Sequence, residues 1–109
     1  MDGMPVKDFK EKIRLLLEKS NPMKAQDKAF HYLGEDASLF PSPLKFKKYR
    51  IKDPIKDKYI DFGDIRYEDY TKHQDEQRRK SYLKRAGNMN GDWRSNPYSA
   101  NNLSIHILW

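Results

Sequence analysis

"KFKKYRIKDPIKDKYIDFGD", residues 45–64, is where the chain changes period. Within it Tyr49 and Ile51, then Ile60 and Phe62, alternate with polar residues, which is the pattern of short strands with one buried face. Between the two runs "DPIKD", residues 53–57, supplies turn residues. Residues 45–63 therefore predict a short basic β-hairpin. Because the flanks on both sides read as helices, the whole chain predicts an α+β fold: an N-terminal helical hairpin, the β-hairpin and two C-terminal helices.

Upstream, Pro5 to Ser20 places Val6, Phe9, Ile13, Leu16 and Leu17 at spacings of three and four, with Leu15 widening the stripe, as in an amphipathic helix. At "SNP" Asn21 is positioned to cap a second helix whose first residue is Pro22. That helix carries Met23, Phe30 and Leu33 and stops at Gly34. The two helices read as a hairpin, either a lid on the rest of the molecule or a detachable partner-binding arm. "GEDASLFPSP", residues 34–43, reads as a connector pinned by Leu39 and Phe40. Residues 1–43 thus form the helical hairpin and connector, and residues 44–109 a small α+β domain.

Downstream, Gly63 is expected to end the second strand and Tyr67 to Thr71 to form an irregular linker. Asp75 is a candidate N-cap for a helix running to about Ala86, with Gly87 beyond it. Glu76 in its first turn and Lys84 and Arg85 in its last match the helix dipole. Arg78, Tyr82 and Arg85 share one face, and Arg79 lies beside the apolar stripe near Leu83. Trp93 is a possible plug in a turn-rich link. Asn96 and Pro97 repeat the Asn-Pro helix start of residues 21 and 22, and the last helix carries Leu103, Ile107 and Leu108. Trp109 is expected to be packed, on the chain's own core or on a neighbour.

Composition bounds the function. In 109 residues with a mean hydropathy of −1.06 there is little material for a core. Aromatic residues make up 13%, which suits either a small core or a contact surface. The chain has no cysteine, so disulfides, thiolate metal sites and cysteine nucleophiles fall away. Charges interrupt every apolar run, so neither a membrane span nor a signal peptide is expected; the reading is a soluble protein, cytosolic, nuclear or packaged. The net charge of +6 is unevenly spread: seven basic against two acidic residues in 44–58, two against six in 59–77, and five against none in 78–85. Alternating blocks suit internal ion pairs or charge-matched protein contacts at least as well as a phosphate-tracking surface.

"FGD", then "YEDYTKHQDEQRRKSYLKRAG", then Trp93 and "NPYSANNLSIHILW" resemble a family of small basic proteins encoded by large nucleocytoplasmic DNA viruses. The recurring pattern is Phe-Gly, then Asp-Tyr/Phe-Thr-x-His-x-Asp-x-x-Arg-Arg/Lys-x-x-Tyr-Leu/Ile-x-Arg, later Trp, and a helix closing on Leu-Trp. It falls on Phe62, Gly63, Asp69, Tyr70, Thr71, His73, Asp75, Arg78, Arg79, Tyr82, Leu83, Arg85, Trp93, Leu108 and Trp109. Two departures stand out: Glu76 replaces a common Pro, and members often continue beyond Leu-Trp. The resemblance covers roughly the last 60 residues. It implies viral origin, a virion location after assembly in the host cytoplasm, and a minor capsid role; it brings no activity.

Two readings follow. In the first the chain is a non-enzymatic structural protein bridging larger capsid subunits, the major capsid protein or other minor ones. It would make contact through Arg78, Arg79, Tyr82, Arg85, Trp93, Leu108 and Trp109, together with Phe9, Ile13 and Leu16 of the first helix. In the alternative the chain binds nucleic acid through Lys45, Lys47, Lys48, Arg50 and Lys52, with tyrosines stacking on bases. Catalysis is not expected. His73 with Asp69 and Asp75 lacks an accompanying nucleophile signature, phosphate loop or metal-ligand motif, and reads as a capping device that locks the linker to the helix. No cofactor and no metal is expected, because His31, His73 and His106 show no ligand spacing.

Overall fold

The computed structural model describes residues 6–109, and side chains from residue 8 onward; Pro5 and the Val6 side chain lie outside this range. The hairpin forms as expected from strands β2 (Lys47–Asp53) and β3 (Lys58–Asp64), antiparallel and in a register that pairs Tyr49 with Phe62 and Ile51 with Ile60. The period-two pattern thus puts four apolar side chains on one face. Asp53 shapes the turn, its Oδ1 accepting from the backbone N–H groups of Ile55 (2.9 Å) and Lys56 (3.2 Å).

The sheet also has a third strand that the sequence did not announce. β1 (Phe40–Pro41) pairs antiparallel with the outer edge of β2, giving the order β1-β2-β3. Two residues are too few for alternation to register, and a proline is tolerated only on such an edge. Phe40 does not pin the connector, since it is 53% exposed; Leu39 alone packs against the core. Gly63 lies inside β3 rather than ending it. Its φ is +82°, and a Cβ there would sit 2.8 Å from Leu108 Cδ1 and 3.0 Å from Lys48 Cβ.

Helix α1 (Val6–Lys19) buries Leu16, while Leu17 faces out. Lys12, one turn before Leu16, also points inward. Its ammonium donates to the carbonyls of Ser42 (2.5 Å) and Leu44, holding the segment between β1 and β2 against the helix. Helix α2 (Pro22–Leu33) starts as expected, with Asn21 Oδ1 accepting from Lys24 N–H at 3.2 Å and Pro22 in the first turn. Its buried face is different from the expected one. Met23 is 82% exposed and Phe30 faces solvent, whereas Ala25 and Ala29 are fully buried. α2 packs against the C-terminal π-helical turn, and small side chains such as these suit a close approach of helices. Tyr32 adds to this contact by stacking on His106 at 4.4 Å and donating to the Pro97 carbonyl at 2.8 Å.

The expected linker at residues 67–71 contains a one-turn helix, α3 (Tyr70–His73), capped by Asp69. Helix α4 (Glu76–Gly87) follows, capped by Asp75, whose Oδ1 accepts from Gln77 N–H and Arg78 N–H at 2.9 and 3.2 Å. Asn96 and Pro97 do not start the last helix. The Asn96 side chain instead closes a turn on Tyr98 N–H, and α5 (Ala100–Leu103) begins later, capped by Ser99. Asn102 explains the delay: its amide nitrogen donates to the carbonyls of Trp93, Arg94 and Asn96, gathering the preceding loop over the helix start. α5 runs into a π-helical turn, Ser104–Leu108, and Leu103, Ile107 and Leu108 are all buried.

One core unites these parts. Leu16, Ala25 and Ala29 pack in the same cluster as Tyr49, Ile51, Phe62, Ile65 and the C-terminal Leu103, Ile107 and Leu108. Among the described residues no helix is long and apolar enough to cross a membrane. The Gly63 contact carries a direct prediction. Gly63→Ala adds a left-handed backbone penalty of about 1–2 kcal/mol to an overpacking cost of about 1–3 kcal/mol. Urea denaturation should therefore show a loss of about 2–5 kcal/mol, and a smaller loss when the same substitution is made in a Leu108→Ala background.

Candidate partner-docking cleft

The geometry of the cleft starts from a buried ion pair beneath it. Lys48 on β2 and Asp69 at the cap of α3 are 2% and 0% exposed, with Nζ and Oδ2 2.9 Å apart. The other carboxylate oxygen of Asp69 accepts from the Thr71 backbone N–H at 3.0 Å and from the Thr71 hydroxyl. Thr71 Oγ1 in turn accepts from Asn21 N–H at 2.9 Å and lies 3.2 Å from Ser20 Oγ, to which the Tyr49 hydroxyl donates at 2.7 Å. Asp69 N–H donates to the Lys19 carbonyl at 3.1 Å. The α1–α2 junction, the sheet and α3 are thereby fastened at one point. Burial draws the Lys48 ammonium below the ordinary lysine range, with Asp69 pulling the other way. Lys48 was expected among the phosphate-facing cations; this is corrected, because its charge is spent inside the fold.

His73 performs the expected locking. Its Nδ1 accepts from Asp75 N–H at 2.8 Å, so α3 and α4 are joined across Gln74, which takes a left-handed φ of +55°. The imidazole packs between the rings of Tyr70 (6.0 Å) and Trp109 (5.2 Å), and its Nε2 is buried without a partner. Asp69 and Asp75 are committed to the ion pair and the helix cap. Among the described residues no cluster of three or more His, Asp or Glu side chains is arranged to hold a metal.

Above this framework α4 and the C-terminal turn form the walls of an open cleft of about 700 Å³. Tyr82 stacks on Trp109 with centroids 4.3 Å apart and planes at 11°. Arg79 holds that arrangement from behind: Nε donates to the Trp109 carbonyl at 2.8 Å, a second nitrogen reaches Glu76 at 3.0 Å, and the guanidinium lies over the Tyr70 ring. Arg78 faces Glu68 at 3.7 Å across the cleft mouth. Arg85 and Lys47 stand on its rim, and among the described residues neither pairs with a carboxylate.

Of the residues expected at a partner surface, Arg78, Tyr82, Arg85, Leu108 and Trp109 line this one cleft. Arg79 supports it without lining it. Trp93 sits elsewhere, its indole N–H donating to the Met89 carbonyl at 2.9 Å and its ring covered by Arg94. The first-helix candidates do not join the cleft. Leu16 is core, Phe9 is half-buried, and Ile13 lines a separate shallow groove of about 480 Å³ with Leu17, Met23 and Phe40. Arg50 is also not free, forming a two-pronged pair with Asp61 at 3.0 Å on each prong. Lys52 pairs with Asp57 in the turn. The sequence reading missed Lys47, Gln77 and Ser81 as lining residues. Gln77 and Ser81 stand eight and four positions before Arg85, a spacing that would have placed them on its face. Nothing local marked Asn101, whose amide donates to the Ala86 carbonyl at 3.0 Å and joins α4 to α5.

A pH test follows from His73. Burial first, and the neighbouring Arg78 second, hold it below the ordinary histidine value of 6.5. The unfolded chain then binds the extra proton more readily than the folded one, so the stabilisation is complete above pH about 6.5 and declines as pH falls below it. Urea midpoints should fall between pH 7.5 and 5 more steeply for the native chain than for His73→Asn. Parallel curves would contradict the assignment of Nδ1 as an acceptor.

Residues 37–86 match the model described as "Family of unknown function (DUF5754)". Neither the curated proteins nor the solved structures contain a match to the chain. The matched segment holds both partners of the buried ion pair, the sheet from β1 to β3, and α3 with most of α4. Residues 37–86 are thus similar to that family, and helices on both sides of the matched segment complete the core.

Proposed function

We propose that this chain is a non-enzymatic structural protein, a minor capsid or other virion component, that bridges larger capsid subunits by receiving an acidic, partly aromatic segment of one of them in the cleft. The observation that carries this reading is the convergence of Arg78, Tyr82, Arg85, Leu108 and Trp109 on one open surface. These are also positions at which the sequence resembles the viral family. Other positions of the same pattern, Gly63, Asp69, Thr71, His73 and Asp75, support the elements around the cleft by close packing and hydrogen bonds. Arginine, tyrosine and tryptophan are also the side chains that dominate binding energy at protein interfaces. Lys47 and Arg85 on the rim favour an anionic partner, steering its approach as well as its register.

Cross-linking of purified particles with an amine-reactive reagent, before and after the genome is stripped, tests the proposal. Lys47 should join to a capsid subunit in both preparations, and Arg85→Glu should reduce incorporation several-fold while the free protein keeps its melting temperature. Absence of the chain from particles, or its release together with the genome, would overturn the reading.

A further inference from the structure

We propose that the two ends of the β2–β3 hairpin form a stacking platform for single-stranded nucleic acid, adjoining the cleft at Lys47 and Tyr67. Three aromatic residues are left open here: Phe46, Tyr59 and Tyr67 are 53%, 54% and 63% exposed. Each carries a cation over its ring. Arg66 lies over Phe46 at 5.4 Å and over Tyr67 at 5.8 Å, Lys45 approaches Phe46 at 5.3 Å, and Arg50 covers Tyr59 at 5.3 Å. The two guanidinium groups are themselves fixed. Arg66 grips Asp64 with two prongs at 3.0 and 2.8 Å, and Arg50 grips Asp61 with two at 3.0 Å.

The consequence is a set of rings held in place before any ligand arrives, which lowers the ordering cost of binding. Lys45 and Lys47 flank Phe46, and Lys56 and Lys58 flank the turn before Tyr59. Among the described residues none of these four ammonium groups pairs with a carboxylate. From Phe46 to Lys52 the strand spans about 20 Å, so a single strand crossing the hairpin would meet both ring clusters. Exposed rings alternating with unpaired cations match a ligand that alternates flat bases with phosphates. An acidic peptide would use the cations but would leave the rings without flat partners, and duplex bases are already stacked on one another. The platform differs from the cation set expected from sequence, because Lys48 and Arg50 bind no phosphate; one is buried and the other positions a ring.

Fluorescence anisotropy with the full chain and a labelled thymidine oligonucleotide of about a dozen nucleotides tests this. The single strand should bind more tightly than a duplex of the same length. Phe46→Ala and Tyr59→Ala should each weaken it about tenfold without changing the salt slope. Lys45→Gln combined with Lys47→Gln should reduce that slope by about one to two. Thermal melts of the two ring variants should match the parent, as exposed positions require. Equal affinity for duplex and single strand with inert ring variants would overturn the proposal, as would tighter binding of a polyglutamate peptide.

Discussion

The ion pair between Lys48 and Asp69 sets the position of nearly everything else in this molecule. Taking two opposite charges out of water costs several kcal/mol per ion, and attraction between them offsets that only when the remaining donors and acceptors are also satisfied. Here they are. Asp69 receives two further hydrogen bonds from Thr71, and the Lys48 ammonium also lies 3.5 Å from the Lys19 carbonyl. A small chain with few large apolar side chains obtains from this arrangement what a larger core would otherwise supply, one preferred way of bringing three distant segments together.

From that point the rest follows geometrically. Asp69 caps α3, so fixing its carboxylate fixes where α3 starts, and His73 then fixes where α4 starts. The direction of α4 places Tyr82 over Trp109 and Arg79 against its carbonyl. On the other side Thr71 holds the α1–α2 junction, while Lys72 donates to the Leu17 carbonyl at the end of α1. α2 and the C-terminal turn then meet across Ala25 and Ala29, and Leu108 settles over Gly63 where any larger residue would intrude. The cleft is the space left between walls that are each located by this chain of contacts.

Features that repeat or that act locally were legible in the sequence. The hairpin declared itself by period two, α1 by period three to four, and Asn21, Pro22 and Asp75 by their capping chemistry. Features that depend on tertiary contact were not. Lys48 stands among seven basic residues and looks like every other lysine of that block; only Asp69, 21 positions away, makes it internal. α2 showed large apolar residues at suitable spacing, yet tertiary packing buries its alanines instead. Asn96 looked identical to Asn21, but Asn102 drew its carbonyl into a different turn. Arg78, Tyr82 and Arg85 could be grouped in advance because they share a helix face, and all three line the cleft. Lys47, on a strand opposite, had no such signal.

A double-mutant cycle between Lys48 and Asp69, read by urea denaturation, tests this account most directly. Lys48→Met and Asp69→Asn should each destabilise the chain by about 3–5 kcal/mol, because each leaves a buried polar group or charge without its partner. The combined variant should be far less unstable than the sum, with a coupling of about 2 kcal/mol or more, within the range seen for directly interacting groups. Additive losses with a coupling below about 0.5 kcal/mol would mean the two residues act independently, and the ion pair could not be the contact that organises the fold.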